Sequence, residues 1–256
     1  MKFNTDVLGC PTCHRPMVGF DYDLVCKCCQ WEIPAITGIW DLVPLSLDHD
    51  SRYTLEIDRY EKVAAAGPGQ YHGLADTNPA WRASMVRDLL FYQEVKQFVN
   101  LGPGFGELEA KCHNEFEIIS MDSCLGFLAH IKKQMPKVHC VRGVAEYLPF
   151  QDESVECFVS QSTFQSIVDR VRFLYEVGRV MAPGSLFLLT VAYKWNYPRK
   201  PQDGFNILKY DERQTLNLFL DELGFDTRYE IFDSTRMARA NTLDEGNYFW
   251  IIGTKR

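Results

Sequence analysis

Hydrophobic positions in the second half of the chain switch between two periods. Short apolar runs at Val95–Leu101, Phe116–Asp122, Val138–Val141, Val155–Ser160 and Ser185–Ala192 predict strands. Ser123–Met135, closed by Pro136, predicts a helix. Arg170–Met181 predicts another, with an apolar stripe at Val171, Leu174, Val177 and Met181, ended by Ala182-Pro183-Gly184. Asp226–Phe232, just after Leu223-Gly224-Phe225, and Tyr248–Gly253 predict two more strands. Strands alternating with helices predict an α/β domain with a doubly wound sheet covered by helices on both faces. Upstream, Ser51–Ala66 carries Tyr53, Leu55, Ile57, Tyr60, Val63 and Ala64 against a charged opposite face, which predicts a helix broken by Gly67-Pro68-Gly69. Asn78-Pro79 opens a second helix over Trp81–Phe91.

One turn organises this alternation. The strand Val95–Leu101 runs into Gly102, Gly104 and Gly106, and a helix starts at Glu107. Glycine opens backbone angles closed to other residues and lets a ligand approach the main chain. The helix that follows offers free N–H groups. A dinucleotide fingerprint would need glycine at 107, where the chain has Glu107. Taken alone, the loop is equally an ordinary glycine- and proline-rich turn. Asp122, at the end of the second strand, is placed to accept hydrogen bonds from ribose hydroxyls.

The first forty residues follow a different logic. Cys10-Pro-Thr-Cys13 and Cys26-Lys-Cys-Cys29 are two C-x2-C knuckles around a predicted hairpin, Met17–Val25. Four thiolates at this spacing suit a closed tetrahedral zinc site. So small a module has too little core to fold without a staple. Cys10, Cys13, Cys26 and Cys29 are the expected ligands, with Cys28 the alternative to Cys29. Pro44–Ser51 then reads as a linker.

Composition narrows the picture. The 256 residues are 46% hydrophobic and 24% charged, as in a soluble globular protein, and no apolar run is long enough for a bilayer. The N-terminus lacks the apolar stretch of a signal peptide, so the expected location is cytoplasmic. Nine cysteines there imply metal or free thiols. A net charge of −7 argues against broad capture of nucleic acid.

The motifs in order carry a resemblance. The G-x-G-x-G turn, G-x-A-E-x-L-P-F from Gly143, D-E-S-V-E from Asp152 and E-V-G-R-V-M-A-P-G-S-L-F-L-L-T from Glu176 are similar, over about Val95–Lys255, to class I S-adenosylmethionine-dependent methyltransferases of the methyltransferase type 11-like group. Leu8–Pro44 resembles the zinc ribbon fused to, or partnered with, some methyltransferases. The resemblance implies a Rossmann-like sheet plus a small N-terminal zinc ribbon. It divides the chain into a ribbon (1–44), linker and cap helices (45–94) and a catalytic domain (95–256). It further implies that Gly102, Pro103, Gly104 and Gly106, with Asn100 before them, line the methionine end of S-adenosylmethionine. Asp122 would hold the ribose, with Ser123 and Cys124 beside the adenine and Ala145 and Glu146 at its edge. Gln161 would touch the cofactor after the fourth strand. Family members often have acids at the positions of Asn100 and Val144, and histidine near Gln165 and Ser166. No general-base signature and no N-P-P-Y-type motif is present.

Methyl transfer needs the nucleophile held in line with the methyl group. Tyr71, His72 and Trp195 are candidate substrate contacts from the cap and from the loop after the fifth strand, and His72, Asp76 and Tyr71 are the candidate bases. A small-molecule substrate, a sugar or secondary metabolite, fits the acidic charge and the aromatic cap. The alternatives are a ribosomal or transfer RNA methyltransferase and a non-catalytic cofactor-binding scaffold.

Overall fold

A computed structural model describes residues 5–20, 23–47, 50–70, 79–192, 210–233, 238–239 and 248–256. An antiparallel meander comes first: β1 (Val18–Phe20), β2 (Asp23–Cys26), β3 (Trp31–Ile36) and β4 (Ile39–Asp41). The expected linker is partly structured. Leu45–Leu47 forms a 3-10 turn with Leu47 buried, and Asp50 caps α1 (Ser51–Ala66) by accepting from the Arg52 N–H. α2 (Pro79–Tyr92) follows.

The body is β5 (Gln97–Leu101), α3 (Glu107–Cys112), β6 (Glu117–Asp122), α4 (Leu125–Gln134), β7 (His139–Arg142), β8 (Val155–Gln161), α5 (Arg170–Val180) and β9 (Met181–Ala192). After these come α6 (Tyr210–Glu222), β10 (Phe225–Asp233), β11 (Ala238–Arg239) and β12 (Tyr248–Lys255). The sheet order is β1-β2-β3-β4-β7-β6-β5-β8-β9-β12-β10-β11. β7, β6, β5, β8 and β9 are parallel; β12 inserts antiparallel between β9 and β10. Side chains alternate between the two faces. Phe98 and Ile118 join the core under α2, α3 and α4, whereas Val99 and Ile119 join the core under α5 and α6. Strand order reverses at β5/β8, which puts a ligand crevice at the carboxyl ends of those two strands.

The meander is continuous with this sheet. β4 pairs parallel with β7, and Arg142 clamps Asp41 at 2.6 Å while Leu42 N–H donates to the Arg142 carbonyl. Leu8, Met17, Leu24, Ile33 and Leu42 share one buried cluster with the strands of the body.

Two details differ from the sequence reading. The α5 stripe is Phe173, Leu174, Val177 and Val180, not one beginning at Val171, which is 55% exposed. Asp169 caps the helix by accepting from Arg172 N–H, and at 100° per residue Val171 falls on the far side from Phe173 and Val180. β9 also starts at Met181 rather than Ser185. Val155 pairs with Met181 but Cys157 with Leu186, so Ala182–Ser185 bulge out, with Gly184 at φ +80°.

Candidate functional site

The crevice at the β5/β8 ends is a cavity of about 430 Å³. Its floor is the glycine turn. Gly102 sits at φ +69°, and a Cβ there would lie 2.0 Å from Thr163 Oγ1. Only glycine fits that close approach of the two strand ends. Gly104 also has positive φ, at +57°. Gly106, at +85°, serves packing instead. A Cβ there would meet Ile131 at 2.9 Å and Met135 at 3.0 Å, so its glycine lets α3 and α4 approach behind the wall.

Asp122 ends β6 against the turn. Its Oδ1 accepts from Cys124 N–H at 2.9 Å. Burial pushes its carboxyl up to about 7, while the N–H groups of Cys124 and Gly104 pull the other way and nearby Glu61 adds to the rise. Ser123 lines the cavity. Cys124 is fully buried, caps α4 and packs with Phe105 and Phe127, so it stands behind the wall.

Asn100 and Ser120 are register partners on β5 and β6, so their side chains share one face beneath α3. Glu109 of α3 reaches down between them. Its Oε1 accepts from Asn100 Nδ2 at 2.8 Å and from Ser120 Oγ at 2.5 Å, and burial raises its pKa. The Asn100 amide nitrogen is thereby committed. Its Oδ1 is buried without a hydrogen-bond partner, and Asn100 lines the cavity. A buried orphan acceptor beside a glycine turn calls for a donor from a ligand.

The opposite wall comes from the cap. α1 lines the cavity with Tyr53, Glu56, Ile57 and Tyr60, at i, i+3, i+4 and i+7. It is pinned on both sides of the crevice. Tyr60 OH pairs with Ser166 Oγ at 2.6 Å, and Glu61 accepts from the N–H groups of Leu125 and Gly126 at the start of α4 (2.6 and 3.1 Å). From α2, Arg82 donates to Gln161 Oε1 at 2.9 Å and to Ser162 Oγ at 3.0 Å. Ser162 holds φ +56° after β8.

Of the residues expected from the sequence, Asn100, Gly102, Pro103, Gly104, Asp122, Ser123, Ala145, Glu146 and Gln161 line this one cavity. Glu146 does so with its carboxylate committed, since Oε1 accepts from Asp169 N–H at 2.8 Å. Gly106 and Cys124 are not on its wall. Tyr71, His72, Asp76 and Trp195 lie outside the described residues. Glu56, Tyr60, Arg82 and Thr163 are cavity residues that pattern reading missed. The helix spacing of Glu56, Tyr60 and Arg82 was visible, but not what their helices would face, and Thr163 lies in the loop after β8.

The four cysteines Cys10, Cys13, Cys26 and Cys29 have sulfurs within 4.8 Å of one another. Cys10–Cys29 is 3.9 Å and Cys13–Cys26 is 3.6 Å. A zinc tetrahedron with Zn–S of about 2.3 Å has sulfur–sulfur edges of about 3.8 Å. Cys28 is exposed and outside this group.

Residues 99–189 match the family described as Methyltransferase domain. An uncharacterized methyltransferase of Schizosaccharomyces pombe is 31% identical over 114 residues, 43% of each chain, so the match spans less than half of that relative. A SAM-dependent methyltransferase from Thermotoga maritima superposes with a TM-score of 0.58 at 16% identity, over 78% of this chain and 100% of the other. A chain from the complex of the Haloferax volcanii Trm112 methyltransferase activator with a methyltransferase gives 0.58 at 17% identity, over 77% and 96%. At these identities the solved structures speak for the fold. The matched segment runs from the end of β5, through the glycine turn, to β9, so this part of the chain is similar to the methyltransferase domain and shares its fold with the solved methyltransferases.

Proposed function

We propose that this protein transfers a methyl group from S-adenosylmethionine to a small molecule, and that a structural zinc on Cys10, Cys13, Cys26 and Cys29 holds its first forty residues. The observation that carries the cofactor reading is the orphaned Asn100 Oδ1 beside Gly102. It suits the methionine ammonium, with the glycine-turn main chain alongside. Asp122 suits the ribose hydroxyls, and Ala145 and Val144 suit the adenine face. When bound, the cofactor supplies an electrophilic methyl on a sulfonium. The residues of this chain hold and orient it, and α1 roofs the crevice. That roof, tied at Ser166 and at α4, favours a small substrate over a polymer.

The Haloferax protein is recorded with a separate activator. Here the edge of β7 is filled by the chain's own β4, and the fused module is read as a built-in support. Calorimetry with S-adenosylhomocysteine tests the cofactor reading; absence of binding to folded protein overturns it. Metal analysis tests the zinc, with one zinc per chain expected. Stripping it with a chelator should unfold the first forty residues and destabilise the β4–β7 edge. A metal-free protein with an intact amide spectrum for residues 5–44 would contradict it.

A further inference from the structure

The cofactor reading leaves two acceptors on the cap side of the cavity unexplained. Glu56 shares one oxygen with Arg59 at 3.6 Å, but its Oε2 is buried without a hydrogen-bond partner. Gln165 is 6% exposed; its Nε2 donates to the Ser162 carbonyl at 2.6 Å, and its Oε1 is buried without a partner. Both residues line the same cavity. Tyr60, one turn beyond Glu56, is tied to Ser166, the neighbour of Gln165, so the helix that carries Glu56 meets the turn that carries Gln165.

No described group donates to either acceptor. Arg82 serves Gln161 and Ser162, and Tyr60 and Ser166 serve each other. Two orphan acceptors on one wall are costly until a donor arrives. A hydroxyl group brings one donor. An ammonium brings three and a positive charge, which a carboxylate and flanking tyrosine faces both favour. Tyr53 and Tyr60 line the cavity from the same stripe of α1, with Arg52 and Arg59 standing over one side of their rings.

We propose that the substrate is an amine, and that its protonated nitrogen is recognised by Glu56 Oε2 and Gln165 Oε1. This rests on reading the rest of the cavity as the S-adenosylmethionine site. Glu56 and Gln165 then select the acceptor substrate, while Asn100 and Asp122 hold the cofactor.

The test uses the full chain saturated with S-adenosylhomocysteine and a graded series of probes, from methylammonium to benzylammonium, each titrated against its alcohol. At least one ammonium should bind at least about tenfold more tightly than its alcohol. Glu56→Gln, which keeps size and loses charge, should abolish that preference and leave S-adenosylhomocysteine affinity within about twofold. Gln165→Met should weaken the ammonium by a smaller factor. If no ammonium outbinds its alcohol, or if Glu56→Gln keeps the preference, the inference falls. If S-adenosylhomocysteine itself fails to bind, the cofactor reading falls instead, so the two failures are separable.

Discussion

The two walls of the cavity are built in opposite ways. The floor of the strand-end wall comes from one continuous stretch, β5 through β6, where Asn100, Gly102, Gly104 and Asp122 are set by a turn, a register and a strand end. The cap wall is assembled from afar. Tyr60 reaches a partner 106 residues away, Arg82 one 79 residues away, and Glu61 one 64 residues away. A wall fixed by local backbone geometry tolerates little change in any one residue. A wall held by several separate side-chain ties should lose function in smaller steps.

Gly102→Ala is the harshest test of that contrast. The new Cβ would lie 2.0 Å from Thr163 Oγ1, in a backbone conformation at φ +69° that alanine rarely adopts. Either the β5 turn or the β8 end must shift. Strain of about 1–3 kcal/mol is expected at such a position, and the displaced turn removes main-chain contacts besides. S-adenosylhomocysteine affinity, read by calorimetry on protein shown folded by its thermal transition, should fall more than about 100-fold. A variant within threefold of the wild type would show that this turn does not touch the cofactor.

Asp122 comes next. Asp122→Ala removes a charged acceptor for ribose hydroxyls, each such bond contributing about 1.5–3 kcal/mol, or about 10–150-fold in affinity. The same residue sets a pH dependence. Its carboxyl, pushed up to about 7 in the free protein, is half protonated near neutrality. Ribose hydroxyls donate to the charged form, so binding lowers this pKa and releases a proton. Affinity should therefore rise with pH up to about 7 and then level off, losing up to about tenfold per unit below that. Asp122→Asn should flatten the profile. A wild-type profile already flat between pH 5 and 8 would remove Asp122 from the ribose.

The same contrast explains what the sequence disclosed. The α/β alternation, the glycine turn, Asp122 at its strand end and the paired C-x2-C knuckles are short-range patterns whose geometry follows from neighbouring residues. The wrong start of the α5 stripe came from counting i, i+3 steps from Val171 and passing over Phe173, whose position sets the buried face on the other side of the helix. Glu56 and Arg82 were invisible for a deeper reason. A polar residue on an amphipathic helix reads as surface, and only the ties at Ser166, Gln161 and α4 turn these two into cavity residues. Gly106 illustrates the converse. It belongs to the motif, yet here its missing side chain serves the approach of α3 to α4.

The smallest expected effect sharpens the comparison most. Tyr60→Phe removes one hydroxyl that pairs with Ser166 Oγ at 2.6 Å. A single hydrogen bond of this kind contributes about 1 kcal/mol net, about fivefold in an equilibrium. Everything else that holds α1 stays in place. Glu61 still caps α4, and the ring still packs 6.3 Å from Phe127 with Val63 and Ala64 beside it. The melting temperature should fall by about 2–4 °C, as for 1 kcal/mol in a chain of this size. S-adenosylhomocysteine affinity should drop no more than about fivefold. Amide hydrogen exchange locates the change: residues 51–66 should exchange faster, because α1 opens more often from its Ser166 side, while α4 keeps its protection. Unchanged exchange in α1 would mean that Glu61 alone holds the roof, and Glu61→Ala would then be the variant that releases it. Acceleration in β5 and β6 as well would mean that the two walls are one cooperative unit, and the distinction between them would not survive.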